Sequence, residues 1–211
     1  MVEGLRERYE LSKYVSASTM QSLKDGKKGK KAPLTILFSD IRSFTSFSEE
    51  HSAESVVEYL NKIISFQTDI IQNNNGDIDK YVGDEIVALY YENNPELSAC
   101  ISALAIQKHM REKSDALYSG LRLGIGINTG EVILGMIGSE KRADYTVIGD
   151  TVNLASRLCG TAKPDQIIIS QSVYKAVKNK VIVDGPYKIK VKGKKNYNLV
   201  YILKNVKGET A

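Results

Sequence analysis

The chain has 211 residues, 42% hydrophobic and 26% charged, which suits one folded domain plus a linker and excludes wholesale disorder. A net charge of +4 favours an anionic small molecule, and no nucleic-acid partner is expected. Two cysteines without CxxC spacing, no signal-peptide pattern and no run of about 18 apolar residues argue against a disulfide scaffold, a secreted chain or a membrane span, and predict a reducing, cytoplasmic setting.

The first segment, EGLRERYELSKYVSASTMQSL, reads as a charged helical connector. DGKKGKKAP (25–33) then breaks any helix with two glycines and a proline. Residues 1–32 are therefore expected to be a helical connector and basic linker, and 33–211 a compact domain. This organisation predicts a module cut from a longer protein with a sensory or regulatory domain on its N-terminal side. The basic run Lys27–Lys31 has no interleaved aromatics and is read as a solvated linker.

LTILFSD (34–40) is a continuous apolar run ending in acid, the pattern of a central buried strand. Residues 53–72 carry apolar side chains at helical spacing, with Ser52 as N-cap and Glu54 in the first turn. GDIDKYVG and DEIVALYYE read as a hairpin turning at Gly83-Asp84. Pro95 opens a second helix at the position where its missing N–H costs nothing extra. LRLGIGINTGEVILGMIG (121–138) is expected to be a strand pair turning at Asn128-Thr129-Gly130. A short helix in TVNLASRLCGTA, a strand at 166–170 and a small helix at SVYKAVKN follow. KIKVKG and YNLVYIL complete a terminal hairpin around Lys194-Lys195-Asn196. The order is that of an α+β, ferredoxin-like βαββαβ core with an extra C-terminal β-hairpin.

Several motifs fail on inspection. GIGINTG spaces its glycines as G-x-G-x-x-x-G, so it is not a dinucleotide fingerprint and reads as strand glycines. GKKGKK lacks the P-loop's spacing and final hydroxyl. His51 and His109 stand alone, which leaves zinc and histidine-based triads unsupported.

Asp40 and Asp84 each end an apolar run, in FSDIRSFTSFSEE and DIDKYVGDEIVALY. A strand-end aspartate is ordinarily a turn residue or cap. Lys80 alone reads as an edge charge, Thr146 as an ordinary strand residue, and Asn153 with Arg157 as a solvated helix face. Their joint spacing is another matter. Lys80 lies four residues before Asp84, Thr146 seven before Asn153, and Arg157 four after it. Together these segments, with DYTVIGDTVNLASRL (144–158), closely resemble the catalytic domain of class III nucleotidyl cyclases over residues 33–205.

That resemblance implies the class III cyclase fold and an adenylate cyclase converting ATP to 3′,5′-cyclic AMP and pyrophosphate. It places two Mg²⁺ or Mn²⁺ ions on Asp40, Asp84 and the backbone carbonyl of Ile41. It gives Asn153 and Arg157 the ribose and the developing charge, and Lys80 and Thr146 the base. Phe44 and Thr45, within IRSFT, would present N–H groups to the phosphates, with Lys192 and Lys141 or Arg142 adding charge. It also implies a head-to-tail homodimer, one chain supplying the aspartates and its partner the remaining groups. Lysine only donates and a threonine hydroxyl can accept, which suits adenine N1 and N6. The guanylyl-cyclase relatives carry Glu and Cys at these positions. A non-catalytic nucleotide-binding module of the same fold would be expected to lack one of these groups, and a dinucleotide cyclase to carry a GGDEF-like turn.

Overall fold

The computed structural model describes residues 30–139, 142–190 and 197–208. Strand β1 (Lys30–Arg42) is followed by the short helix α1 (Phe44–Glu50) and by α2 (Ala53–Asn73). The hairpin β2 (Asp77–Val82) and β3 (Glu85–Tyr90) leads into α3 (Pro95–Leu117). Then come β4 (Arg122–Ser139), β5 (Arg142–Ile148), α4 (Asp150–Thr161), β6 (Gln166–Ser170), α5 (Gln171–Val177), β7 (Val181–Ile189) and β8 (Asn198–Val206). The strands form one sheet in the order β2-β3-β1-β4-β6-β8-β7, with β5 paired to β4 beside that path. Its first half, β2-β3-β1-β4, is antiparallel and carries the βαββαβ core; β6 joins β4 in parallel.

Period-2 alternation sorts β1 between two cores. Leu37 and Ile41 face α2 and α3 with Ile63, Ile106 and Leu123, while Leu34, Ile36 and Phe38 face the other way with Val87, Val147 and Cys159. Each such burial is worth about 1.5–3 kcal/mol, and a one-residue slip of β1 would send each set into the core packed for the other. Ser52 caps α2 by accepting from the Ser55 N–H, and Pro95 begins α3, as their sequence positions predict.

Four expectations change. β1 begins at Lys30, inside the stretch read as linker, because residues 30–32 pair with 132–134 of β4. The remainder of the 1–32 connector lies outside the described residues. Residues 122–139 form one continuous strand rather than a pair, since Asn128, Thr129 and Gly130 sit in register with Ile36, Thr35 and Leu34. The partner of the second half of β4 is β5, which the sequence pattern did not single out. Finally, β7 starts at Val181, well before KIKVKG, and the Lys194–Asn196 turn lies outside the described residues.

Gly130, expected in a turn, serves packing instead, as does the strand glycine Gly126. A Cβ on Gly126 would stand 2.1 Å from the Cys159 backbone nitrogen, and one on Gly130 would stand 2.9 Å from Thr151 Oγ1. These bare positions let α4 lie directly on β4.

Candidate active site

Asp40 lies two residues before the end of β1, still paired with Gly124, and Asp84 occupies the β2–β3 turn beside Gly83, whose φ of +62° suits glycine. The two carboxyls meet: Asp84 shares a hydrogen bond with Asp40 and also accepts from the Ile41 backbone N–H. Burial, followed by the Asp40 contact, pushes Asp84 up to about 6. Burial and the charges of Asp40 and Asp84 together push the adjacent Glu85 up to about 7, against a smaller opposing effect of Arg42. Close carboxylates disfavour one another's ionised form, and a bound cation relieves that conflict.

Arg42 is the counterion that the sequence reading missed. Its Nη2 lies 2.9 Å from Asp40 Oδ2. The two side chains are two residues apart on one strand, so they share a face. Gly124 makes room for the guanidinium: a Cβ there would lie 2.6 Å from Arg42 Nε. Cys159 of α4 closes the other side, with Arg42 Nη2 donating to its Sγ at 3.6 Å and Sγ donating to the Gly124 carbonyl at 3.2 Å. Burial pushes this thiol above its usual range, which makes it a packing residue rather than a nucleophile. Strand alternation after Asp40 was the one signal that could have found Arg42.

The second cluster lies along β2 and β5. Lys80 Nζ donates to Thr146 Oγ1, across 66 residues of sequence, and stands 3.0 Å from Asp79 Oδ2. The Asp79 side chain is 2% exposed, and burial pushes its carboxyl up despite Lys80. A β-bulge produces this arrangement. Ile78 pairs with Ala88 while Lys80 pairs with Val87, which leaves Asp79 as the extra residue. An extra residue turns the strand over, so Lys80 leaves the face of Ile78 and joins that of Val87. No hydrogen bond or ion pair among the described residues links Lys80 or Thr146 to Asp40 or Asp84.

Asn153 and Arg157 lie one turn apart on α4, Asn153 exposed and Arg157 half-buried, with Ala155, Leu158 and Cys159 buried against the sheet. Neither polar side chain has a partner among the described residues. Phe44 and Thr45 open α1 after Ser43, whose φ is 60°. The first N–H groups of a helix have no acceptors within it. Lys192 and Lys141 lie outside the described residues, as does the side chain of Arg142.

All the donors at the first cluster are oxygens. Two carboxylates and a nearby backbone carbonyl form a set suited to hard divalent cations such as Mg²⁺ or Mn²⁺ rather than to zinc. The mutual contact of Asp40 and Asp84 fits such an occupant. Among the described residues no helix is long and apolar enough to cross a membrane.

Comparison with known proteins agrees with this geometry. Residues 27–205 match the family described as the Adenylate and Guanylate cyclase catalytic domain. The terminal-differentiation specific adenylate cyclase of Dictyostelium discoideum is 36% identical over 80% of this chain, which covers 8% of that protein. The crystal structure of the adenylyl cyclase CyaB from P. aeruginosa superposes with a TM-score of 0.81 at 31% identity, covering 88% of this chain and all of that one. The guanylyl cyclase Cya2 gives 0.80 at 36% identity, covering 85% of this chain and 95% of its own. The chain spans less than half the length of the first two curated relatives it matches. Adenylyl and guanylyl cyclases score alike, so overall similarity does not select the base.

Proposed function

The chain belongs to the family of adenylate and guanylate cyclase catalytic domains, and from that premise we propose that it cyclises ATP to 3′,5′-cyclic AMP and pyrophosphate. The observation that carries the choice of ATP is the Lys80–Thr146 contact, which brings an obligate donor and a hydroxyl capable of accepting to one point. Adenine presents N1 as acceptor and N6–H as donor on that edge. Guanine, with N1–H as donor, would set a donor against the obligate donor Lys80.

Asp40, Asp84 and the Ile41 carbonyl would hold two divalent cations. Once bound, these would supply the positive charge that neutralises the triphosphate and activates the ribose 3′-hydroxyl. No protein nucleophile is required, because the attacking oxygen belongs to the substrate, and catalysis reduces to positioning and charge stabilisation. Phe44 and Thr45 would offer backbone N–H groups to the phosphates. Asn153 would orient the ribose, Arg157 would offset charge growing on the α-phosphate, and Lys192 would bind the triphosphate.

The working site is composite, shared by two chains in a head-to-tail homodimer. The support is spatial. Within one chain the Asp40–Asp84 pair and the Lys80–Thr146 pair are unlinked, and Asn153 and Arg157 have no partners among the described residues. Around them the surface is apolar: Tyr81 and Val82 on β2, with Met136 and Ile148 on the β4–β5 pair, are exposed, as expected of an association face. Because the relatives are longer, fusion to a regulatory domain on the N-terminal side belongs to the same proposal. The test is chromatographic analysis of products from ATP and from GTP with Mn²⁺. Cyclic AMP from ATP, with little cyclic GMP, is the expected result. The reverse preference, or no cyclic product from a folded dimer, would reject the proposal.

A further inference from the structure

A threonine hydroxyl is ambivalent. It carries one proton and two acceptor lone pairs, and it can turn to meet either adenine N6–H or guanine O6. Thr146 alone is therefore a weak reader of the base. We propose that Asp79 removes this ambivalence, acting as the positioning residue that forces the Thr146 hydroxyl to present only a lone pair to the substrate. The inference rests on the assignment of Lys80 and Thr146 to the base.

Three groups converge at this point. Lys80 Nζ donates to Thr146 Oγ1 and so occupies one lone pair. The Asp79 carboxyl, whose Oδ2 lies 3.0 Å from the same ammonium, is neighbour to this hydroxyl, which helps to hold the carboxyl down against the effect of burial. Paired with the Lys80 ammonium the carboxylate accepts only, and it is the acceptor toward which the hydroxyl proton turns. One lone pair remains, and it can only accept. Adenine N6–H satisfies it, whereas guanine O6 would place acceptor against acceptor. Lys80 meanwhile stands 3.0 Å from Asp79 Oδ2, yet that oxygen receives no well-aligned hydrogen bond. The ammonium is held there by charge and keeps an N–H to turn toward adenine N1.

The bulge in β2 makes this triad possible. In a regular strand Asp79 and Lys80 would point to opposite faces, and the carboxylate could not reach either Lys80 or the hydroxyl beyond it. The extra residue sets the two neighbours side by side, and such bulges commonly re-aim side chains next to active sites. The position is sheltered as well: the Asp79 side chain is nearly fully buried, so the carboxylate fixes the hydroxyl without competing for the base from solvent.

The test uses the full chain with Mn²⁺ and compares kcat/KM for ATP and for GTP. In Asp79→Asn, the ammonium keeps the amide oxygen and the amide N–H turns to Thr146, whose proton is then free to face the base. The ATP:GTP ratio should fall by about tenfold or more, since a site built for one hydrogen-bonding pattern rejects the other strongly only while its polarity is fixed. A purely structural role for Asp79 would lower both activities together and leave the ratio unchanged, which would overturn the proposal. Thr146→Val separates the levels of the argument. If it shifts the ratio, and adding Asp79→Asn to it shifts the ratio no further, the two residues act through one hydroxyl and the proposal stands. Independent, additive shifts would overturn it. An unchanged ratio in Thr146→Val would overturn both this inference and the assignment of the base site beneath it. Should Asp79→Asn fail to fold, Asp79→Ala, which removes the acceptor and frees the hydroxyl proton, carries the same expectation.

Discussion

The β2–β3 hairpin holds two polar clusters of opposite electrostatic character. At its turn, Asp84 meets Asp40 with Glu85 close by, three carboxylates against one guanidinium. At its bulge, Asp79 and Lys80 neutralise each other and the Thr146 hydroxyl completes a closed set of contacts. The first cluster crowds like charges, and the second is neutral and ordered by contacts within the chain. On the proposed reading both conditions have a use, since like charges attract a cation with the substrate, whereas base selection requires groups that are aimed in advance.

The largest effect should come from the carboxylate cluster. Asp40→Ala or Asp84→Ala is expected to lower turnover by on the order of 10³-fold or more while leaving the melting temperature close to that of the parent, because neither side chain fills a core. Normal turnover in either purified variant would remove the carboxylate pair from the chemistry.

The next prediction concerns the separation of the clusters. Mixing inactive Asp40→Ala chains with inactive Asn153→Ala chains should restore activity to about one quarter of wild type, because half of randomly paired dimers are mixed and each carries one intact site. Continued inactivity despite demonstrated subunit exchange would show that each chain builds its own site.

Reversing the pre-paired cluster should alter selectivity rather than abolish chemistry. Lys80→Glu with Thr146→Cys is expected to reduce cyclic AMP formation and shift the ATP:GTP ratio toward GTP by about tenfold or more. An unchanged ratio would mean that neither residue reads the base.

The smallest effect is a pH dependence of stability in chelator. Glu85 is held near 7 in the folded chain, above the ordinary carboxylate range, so the folded state binds more protons than the unfolded state between those values. Stability should therefore rise as pH falls from 8 toward 5, by on the order of 1 kcal/mol after allowance for the half-exposed setting. Thermal melts of Glu85→Gln should show a shallower rise. Saturating Mn²⁺ should reverse the trend, since protons then compete with the bound cation. Melts that show stability falling on acidification in chelator would contradict the crowding of carboxylates at the turn.

Much of the fold was legible from local chemistry. Apolar runs marked β1, β3 and β6; Ser52 and Pro95 marked the starts of α2 and α3; and Gly83-Asp84 marked the hairpin turn, because caps and turns are set by neighbouring residues. The fold class and family could be read because the spacings of Asp40, Lys80, Asp84, Thr146, Asn153 and Arg157 occur together in one chain. Other features depend on segments far apart in sequence. That 122–139 is one strand follows from thirteen registered pairs with β1, which outweigh the turn propensity of Asn-Thr-Gly. Gly124 and Gly126 of β4 are explained only by the guanidinium of Arg42 and the backbone of α4 lying where their side chains would be. Arg42 reaches Cys159 across 117 residues, and Lys80 reaches Thr146 across 66. Asp79 was indistinguishable in sequence from any polar strand residue. Its place beside Lys80 arises from a one-residue bulge, and such a bulge is decided by the pairing of two strands rather than by either alone.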